Sequence, residues 1–223
     1  MKSIVILISG RGSNMESIVA ADIHGAHIAA VISNRPEAAG LQFAAGRGIA
    51  TAVVDHKRFG ERGQFDQALL CEIERHKPDL VVLAGFMRVL GDEIVRHFEG
   101  RLLNIHPSLL PAFTGLHTHR RVLESGVRVH GATVHFVTPA LDCGPIVAQA
   151  VVPVRPDDDE ATLARRVLAE EHRIYPQAVK WFVEGRLRVG ADGRVCVVGA
   201  QMPAAALHAP EIDEEPGGLD AKR

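Results

Sequence analysis

An amide and an imidazole stand two residues apart in Leu102-Leu103-Asn104-Ile105-His106-Pro107-Ser108-Leu109-Leu110-Pro111. Residues i and i+2 of an extended chain point to the same side. Asn104 and His106 therefore face one space together, with apolar Leu103 and Ile105 turned the other way. Pro107 cannot continue a strand ladder, so the pair sits where a strand ends. Open α/β folds place their reactive groups at the carboxyl ends of strands. A hydrogen-bond donor beside a titratable ring at that place suits chemistry at a carbonyl carbon. A carboxylate follows later: Gly131 to Val137 alternates like a strand and leads to Leu141-Asp142-Cys143-Gly144-Pro145. Brought near an imidazole, Asp142 can hold it protonated or can itself accept protons. Asp ahead of a Gly-Pro turn is also ordinary turn chemistry, and the residues alone leave both readings open.

Strand and helix signals alternate ahead of these groups. Ile4 to Ile8 is a continuous apolar run, as in a parallel strand buried on both faces. Ile28 to Ser33, Ala52 to Asp55, Leu80 to Ala84 and Arg101 to Ile105 read as further strands. Helical stretches fall between them at Asn14 to His24, Glu37 to Arg47, Arg62 to His76 and Asp92 to Phe98. Repeated βα units predict an α/β fold, a Rossmann-like open and mostly parallel sheet with helices on both faces. After Gly126 the pattern changes to two longer strands, Arg128 to Val137 and Ile146 to Val154, expected to be antiparallel and joined by the Asp142 loop. A long helix follows from about Asp159, with the acidic run Asp157-Asp158-Asp159-Glu160 at its start. Pro176 lies inside it and is expected to kink or split it. A hairpin of Leu187 to Val189 and Val195 to Val197 turns at Asp192-Gly193. Residues 1–200 are expected to form one domain, and 201–223 an Ala/Pro-rich, acidic surface tail.

The 223 residues are 47% hydrophobic, enough for one sizeable core. A net charge of -2 and an aromatic content of 4% give no general attraction for nucleic acid and no base-stacking platform. No apolar run reaches the roughly 20 residues of a membrane-spanning helix, and the first residues lack a signal-peptide pattern. A cytoplasmic protein is expected. Cys71, Cys143 and Cys196 form neither a disulfide framework nor a metal clip. Cys71 reads as a small buried residue of a helix, and Cys143 as a tolerated side chain beside Asp142. His117, His119, His130 and His135 have no carboxylate or thiol at metal-site spacing, so no metal is expected.

Gly10-Arg11-Gly12-Ser13-Asn14 closes the first strand and opens the first helix. Small residues let backbone approach a ligand, and a helix N-terminus offers unpaired N–H groups to an anion. Met15 replaces the third glycine of a dinucleotide loop, and no acidic residue ends the second strand. A single phosphate fits better than a dinucleotide, and a tight turn with an N-cap explains Gly10 and Ser13 equally well. Gly85-Phe86-Met87-Arg88-Val89-Leu90 is too apolar for an ordinary surface loop.

Asn104-Ile105-His106-Pro107-Ser108-Leu109-Leu110-Pro111 and Leu141-Asp142-x-Gly-Pro145 resemble the formyl-folate-dependent formyltransferases. Ser9-Gly10-Arg11-Gly12-Ser13-Asn14, Gly115-Leu116-His117-Thr118-His119-Arg120 and Glu171-His172-x-Ile174-Tyr175-Pro176 are similar to the branch that acts on glycinamide ribonucleotide (GAR) in purine biosynthesis. The likeness runs from about Ile4 to about Val189. It implies formyl transfer from 10-formyltetrahydrofolate, as co-substrate, to the amine of GAR. By the same likeness Asn104, His106 and Asp142 are catalytic, and Gly12, Ser13, Asn14 and Glu171 bind GAR and its phosphate. Arg62, Phe86, Met87, Arg88, Val89, Leu90, Asn104, Ala140 and Leu141 are then on the folate side. The partners implied are these small molecules, with a monomer or homodimer and neither nucleic acid nor membrane. Three alternatives stand beside it: a methionyl-tRNA formyltransferase, for which the chain lacks a basic carboxy-terminal domain; a formyltetrahydrofolate hydrolase; and a non-catalytic nucleotide- or folate-binding protein on the same fold. Pro139 and Ala140 stand where relatives often carry acidic residues.

Overall fold

The computed structural model describes residues 1–211. The last part of the expected tail, 212–223, lies outside the described residues. The elements in order are β1 (Lys2–Ile8), α1 (Ser13–Ala20), β2 (Ala26–Ser33), α2 (Ala39–Gly46), β3 (Ala50–Val53), a 3₁₀ turn (His56–Arg58), α3 (Arg62–Glu74), β4 (Leu80–Leu83) and α4 (Asp92–His97). Then follow β5 (Leu102–His106), α5 (Thr118–Ser125), β6 (Val129–Phe136), β7 (Ile146–Pro153), α6 (Glu160–Val183), β8 (Leu187–Val189) and β9 (Val195–Val197). Seven strands form one sheet in the order β3-β2-β1-β4-β5-β6-β7, and β8 pairs with β9 apart from it. β1 to β5 are mutually parallel, while β6 runs antiparallel to β5 and β7 to β6. The expected α/β class and the switch to antiparallel pairing are both present.

The pleat of β1 shows why its run is apolar throughout. Ile4, Ile6 and Ile8 join a core with Met15 and Ile18 of α1 and Tyr175, Ala178 and Val179 of α6. Val5 and Leu7 join the opposite core with Phe65, Leu69 and Ile73 of α3 and Ile94 and Val95 of α4. Each face of the strand thus meets its own helix layer. α3 buries Phe65, Leu69 and Ile73, four residues apart, so Cys71 falls on the outer face. Cys71 is exposed, which corrects the expectation that it is buried.

α6 is one helix of 24 residues that runs through Pro176 without a break, so the expected split does not occur. Its first turn is fixed by a capping box between Asp159 and Thr162. Asp158 is used differently: Arg166 holds it bidentately at 2.5 and 2.6 Å. The Tyr175 hydroxyl, fully buried, lies 3.0 Å from the carbonyl oxygens of both Leu83 and Leu103. α6 is thereby tied to the ends of β4 and β5. Among the described residues no helix is long and apolar enough to cross a membrane.

α5 packs on β6 through Val122 against Ala132, and through a histidine pair. His119 Nδ1 and His130 Nε2 are 3.0 Å apart, with one ring donating and the other accepting. Burial is the main cause that lowers both rings, and it pushes His130 from 6.5 down to about 4. The unfolded chain takes these protons first, so stability present above pH 6.5 is lost as pH falls from 6.5 toward 4. The thermal midpoint should fall through that window, and His130→Gln should flatten the fall. Calorimetry of both proteins across the window checks this; parallel curves would show that the pair does not contribute.

Candidate active site

The strand order reverses between β1 and β4, and ligands of open α/β sheets bind in the crevice outside such a point. The loops after β1 and β4 border it. Ser9 joins them: its hydroxyl accepts from Met87 N–H at 2.8 Å, and its own N–H donates to Gly85 O at 3.2 Å. On the β1 side Gly12 adopts φ 78, which lets the chain turn directly into α1. No side chain among the described residues caps this helix, so its first N–H groups remain open to an anion. The Asn14 side chain turns inward and donates through Nδ2 to Glu171 Oε2 at 2.7 Å. Both residues are buried, and Asn14 Oδ1 has no partner among the described residues. Burial raises the Glu171 carboxyl, against the Asn14 hydrogen bond that lowers it. The expected GAR-side residues Gly12, Ser13, Asn14 and Glu171 thus meet at one junction of α1 and α6.

The loop after β4 is pinned from α3. Arg62 Nη2 donates to Val89 O at 2.8 Å, and its Nε lies 3.6 Å from Asp66. The guanidinium of Arg88 sits 5.1 Å over the Phe65 ring. Leu90 is buried and Phe86 packs partly on the core, whereas Met87 is 66% and Val89 56% exposed. Across the crevice Leu141 is 55% exposed. Ala140 O accepts from the Thr138 hydroxyl at 3.2 Å. Solvent-facing apolar side chains on both rims suit a flat, partly apolar ligand.

Between these rims lie the three candidate catalytic groups. Leu102 faces the α3/α4 core, and Asn104 and His106 follow it on the same side of β5. His106 is buried, with its Nε2 3.0 Å from Phe113 O. Its Nδ1 lies 3.6 Å from Asp142 Oδ2. Two oxygens therefore face the two ring nitrogens, and an imidazolium serves both where a neutral ring serves one. At 3.6 Å the Asp142 contact is too long for a hydrogen bond, and it is an ion pair only when the ring is protonated. A proton on Nδ1 would then be available to an oxyanion placed beside it.

Asp142 is held on its own side. Its Oδ2 accepts from Gly115 N–H at 2.8 Å, and its backbone takes φ 53, which Asp tolerates better than most residues. The loop carrying it is drawn tightly against β6: a Cβ on Gly144 would lie 1.8 Å from Phe136 O. The side chains of His106 and Asp142 are 8% and 7% exposed, so their interaction is screened little by water. Cys143 next to them is exposed.

One site residue escaped the sequence reading. His135 lies directly across the β5–β6 pair from Asn104. Its Nε2 is 3.2 Å from Asn104 Nδ2. The period-2 pattern of β6 marked it as strand, but the cross-strand register that joins it to Asn104 is not visible in sequence. Among the described residues no three His, Cys, Asp or Glu side chains converge as metal ligands.

The family model described as formyl transferase matches residues 2–179. The chain is 46% identical over 213 residues to phosphoribosylglycinamide formyltransferase of Escherichia coli (strain K12), spanning 94% of this chain and 100% of that protein. It is 44% identical over 198 residues to the trifunctional purine biosynthetic protein adenosine-3 of Bos taurus, with 87% of this chain matched to only 20% of that longer protein. Among solved structures, glycinamide ribonucleotide transformylase 1 from Symbiobacterium toebii superposes with a TM-score of 0.85 at 46% identity, over 88% of this chain and 94% of that one.

The Gly144 contact gives a direct check of the Asp142 loop. Gly144→Ala must move the loop away from backbone, since the Phe136 carbonyl cannot yield as a flexible side chain would. Overpacking of this kind costs about 1–3 kcal/mol. Denaturant unfolding should show that loss in a protein that still folds. An unchanged midpoint would mean the loop is looser than its geometry.

Proposed function

The chain belongs to the formyl transferase family, and we propose that it carries the formyl group of 10-formyltetrahydrofolate to the amine of 5'-phosphoribosylglycinamide, giving formyl-GAR and tetrahydrofolate. The observation that carries this reading is the Asn104–His106–Asp142 set, with the His106 and Asp142 side chains shielded from water, between an open helix N-terminus and an apolar rim. Glycinamide ribonucleotide offers an anion at one end and an amine at the other. Its phosphate meets the N–H groups of Gly12, Ser13 and Asn14 at the start of α1. Glu171, oriented by Asn14, lies on the path from phosphate to amine. The pterin lies against Phe86, Met87, Arg88, Val89 and Leu90, with Ala140 and Leu141 opposite, and Arg62 keeps the loop in place.

The attacking amine must be neutral, and an α-amino group titrates at roughly 8. Its lone pair forms the new C–N bond at the formyl carbon while the C=O π pair moves onto oxygen. Asn104 Nδ2–H donates to that oxyanion and the His106 imidazolium stabilises it through Nδ1–H. The nitrogen is now positively charged, and the Asp142 carboxylate draws its proton away, directly or through water. Collapse re-forms the C=O bond and breaks the bond to the folate nitrogen, which leaves with a proton. The low exposure of His106 and Asp142 makes each of these charge interactions stronger than at an open surface.

Tetrahydrofolate release should require GAR. Equal release without it would identify a hydrolase instead, because water would then be the acceptor. Asp142→Asn keeps the side-chain volume and removes the charge that faces His106 Nδ1. It should nearly stop turnover while GAR binding, measured by titration calorimetry, stays within a few-fold. Asn104→Ala should cost about 10²–10³ in rate. A folded Asp142→Asn protein with wild-type turnover would return Asp142 to the role of a turn residue.

A further inference from the structure

His135 stands outside the three groups used above, yet it is 2% exposed and touches one of them. Its Nδ1 lies 2.9 Å from its neighbour's carbonyl, Phe136 O. A carbonyl oxygen can only accept, so Nδ1 carries the proton. In a neutral ring Nε2 is then a lone pair and nothing else. Among the described residues the group placed on that lone pair is the side-chain amide of Asn104, at 3.2 Å. An amide can meet a lone pair with its NH₂ and not with its oxygen. We infer that His135 is a positioning residue: fixed as its Nδ1–H tautomer by Phe136 O, it sets which way the Asn104 amide faces and so keeps an N–H on the reacting oxygen.

The consequence follows from the shape of the amide. With Nδ2 toward His135, one N–H is spent on the ring and the second projects into the site. Turning the amide over exchanges nitrogen for oxygen and puts a lone pair where that second N–H stood. A lone pair repels an oxyanion. The register of β5 on β6 supplies the contact, since Asn104 and His135 are directly opposed. The electrostatic surroundings favour the neutral ring. Burial lowers the His135 pKa, against the Phe136 hydrogen bond and the Asp142 charge, which raise it, and His106 lowers it further. Were the ring to take a second proton, Nε2–H would confront Asn104 N–H, and two donors cannot share a hydrogen bond.

This inference rests on the reading of Asn104 as the oxyanion donor, so its tests separate the two. Imidazole ¹⁵N NMR of the unliganded wild-type protein near neutral pH reports the tautomer without any assay. The expected result is a protonated Nδ1 and a bare Nε2 at His135; a proton on Nε2 overturns the inference. In steady-state kinetics His135→Ala should lower kcat by about 10- to 100-fold with KM for both substrates little changed, less than the about 10²–10³ lost on deleting a donor outright. His135→Gln can still turn a carbonyl oxygen toward Asn104 and should recover most of that loss. It should also lack whatever part of the acid limb of kcat His135 contributes. The double variant Asn104→Ala/His135→Ala should be no slower than Asn104→Ala alone. If His135→Ala does not fold, the ¹⁵N result and the Gln variant still decide. Wild-type kcat in folded His135→Ala beside a slow Asn104→Ala defeats the inference alone. Wild-type kcat in Asn104→Ala defeats the donor reading and this inference with it.

Discussion

The antiparallel seating of β6 on β5 is the constraint on which the candidate site depends. It opposes Asn104 to His135 and His106 to Thr133. The first pair is a hydrogen-bonded couple between the two strands. The second ties the following loop, because the Thr133 hydroxyl donates to Ser108 O at 2.6 Å and accepts from Leu110 N–H at 3.0 Å. A slip of one residue would send every one of these side chains to the other face of the sheet. The register is protected by burial: Val134 and Phe136 of β6 lie in one core with Leu103 and Ile105 of β5. Apolar packing on one face thus fixes polar geometry on the other.

The polar groups of this region are costly to bury, and most are paired for that reason. Ser9 bridges to Asn34, His106 to Phe113 O, and Glu171 to Asn14. The first and last of these bonds cross between elements far apart in sequence. Asn14 Oδ1 is an exception, buried beside the helix N-terminus without a partner among the described residues. Such a network is rigid when complete, and rigidity is what a site needs if its donors are to be in place before charge develops.

Much of this arrangement was legible in the residues. Two-residue spacing put Asn104 and His106 on one side, and Pro107 marked the strand end. Continuous apolar runs gave the parallel strands, because strands buried on both faces lose alternation. Asp142 was ambiguous on its own, since a turn residue and a catalytic one look alike; what distinguishes it is a 3.6 Å approach to His106 that local pattern does not encode. Glu171 reads as a solvated mid-helix charge until α6 is packed on α1, where it is 7% exposed. Cys71 failed for the opposite reason: helix phase, set by Phe65, Leu69 and Ile73, placed it outside. His135 depends on a pairing between two strands separated by 31 positions, which no window along the chain contains.

The bond from Asn14 to Glu171 links positions 157 residues apart. Chains are made from the amino end, and domains form in that order as they leave the ribosome. The start of α1 thus emerges well before α6, which supplies Glu171. A nascent chain therefore holds Asn14 without its carboxylate partner until α6 has been made. The junction at the start of α1 is complete only after α6 has closed over the sheet.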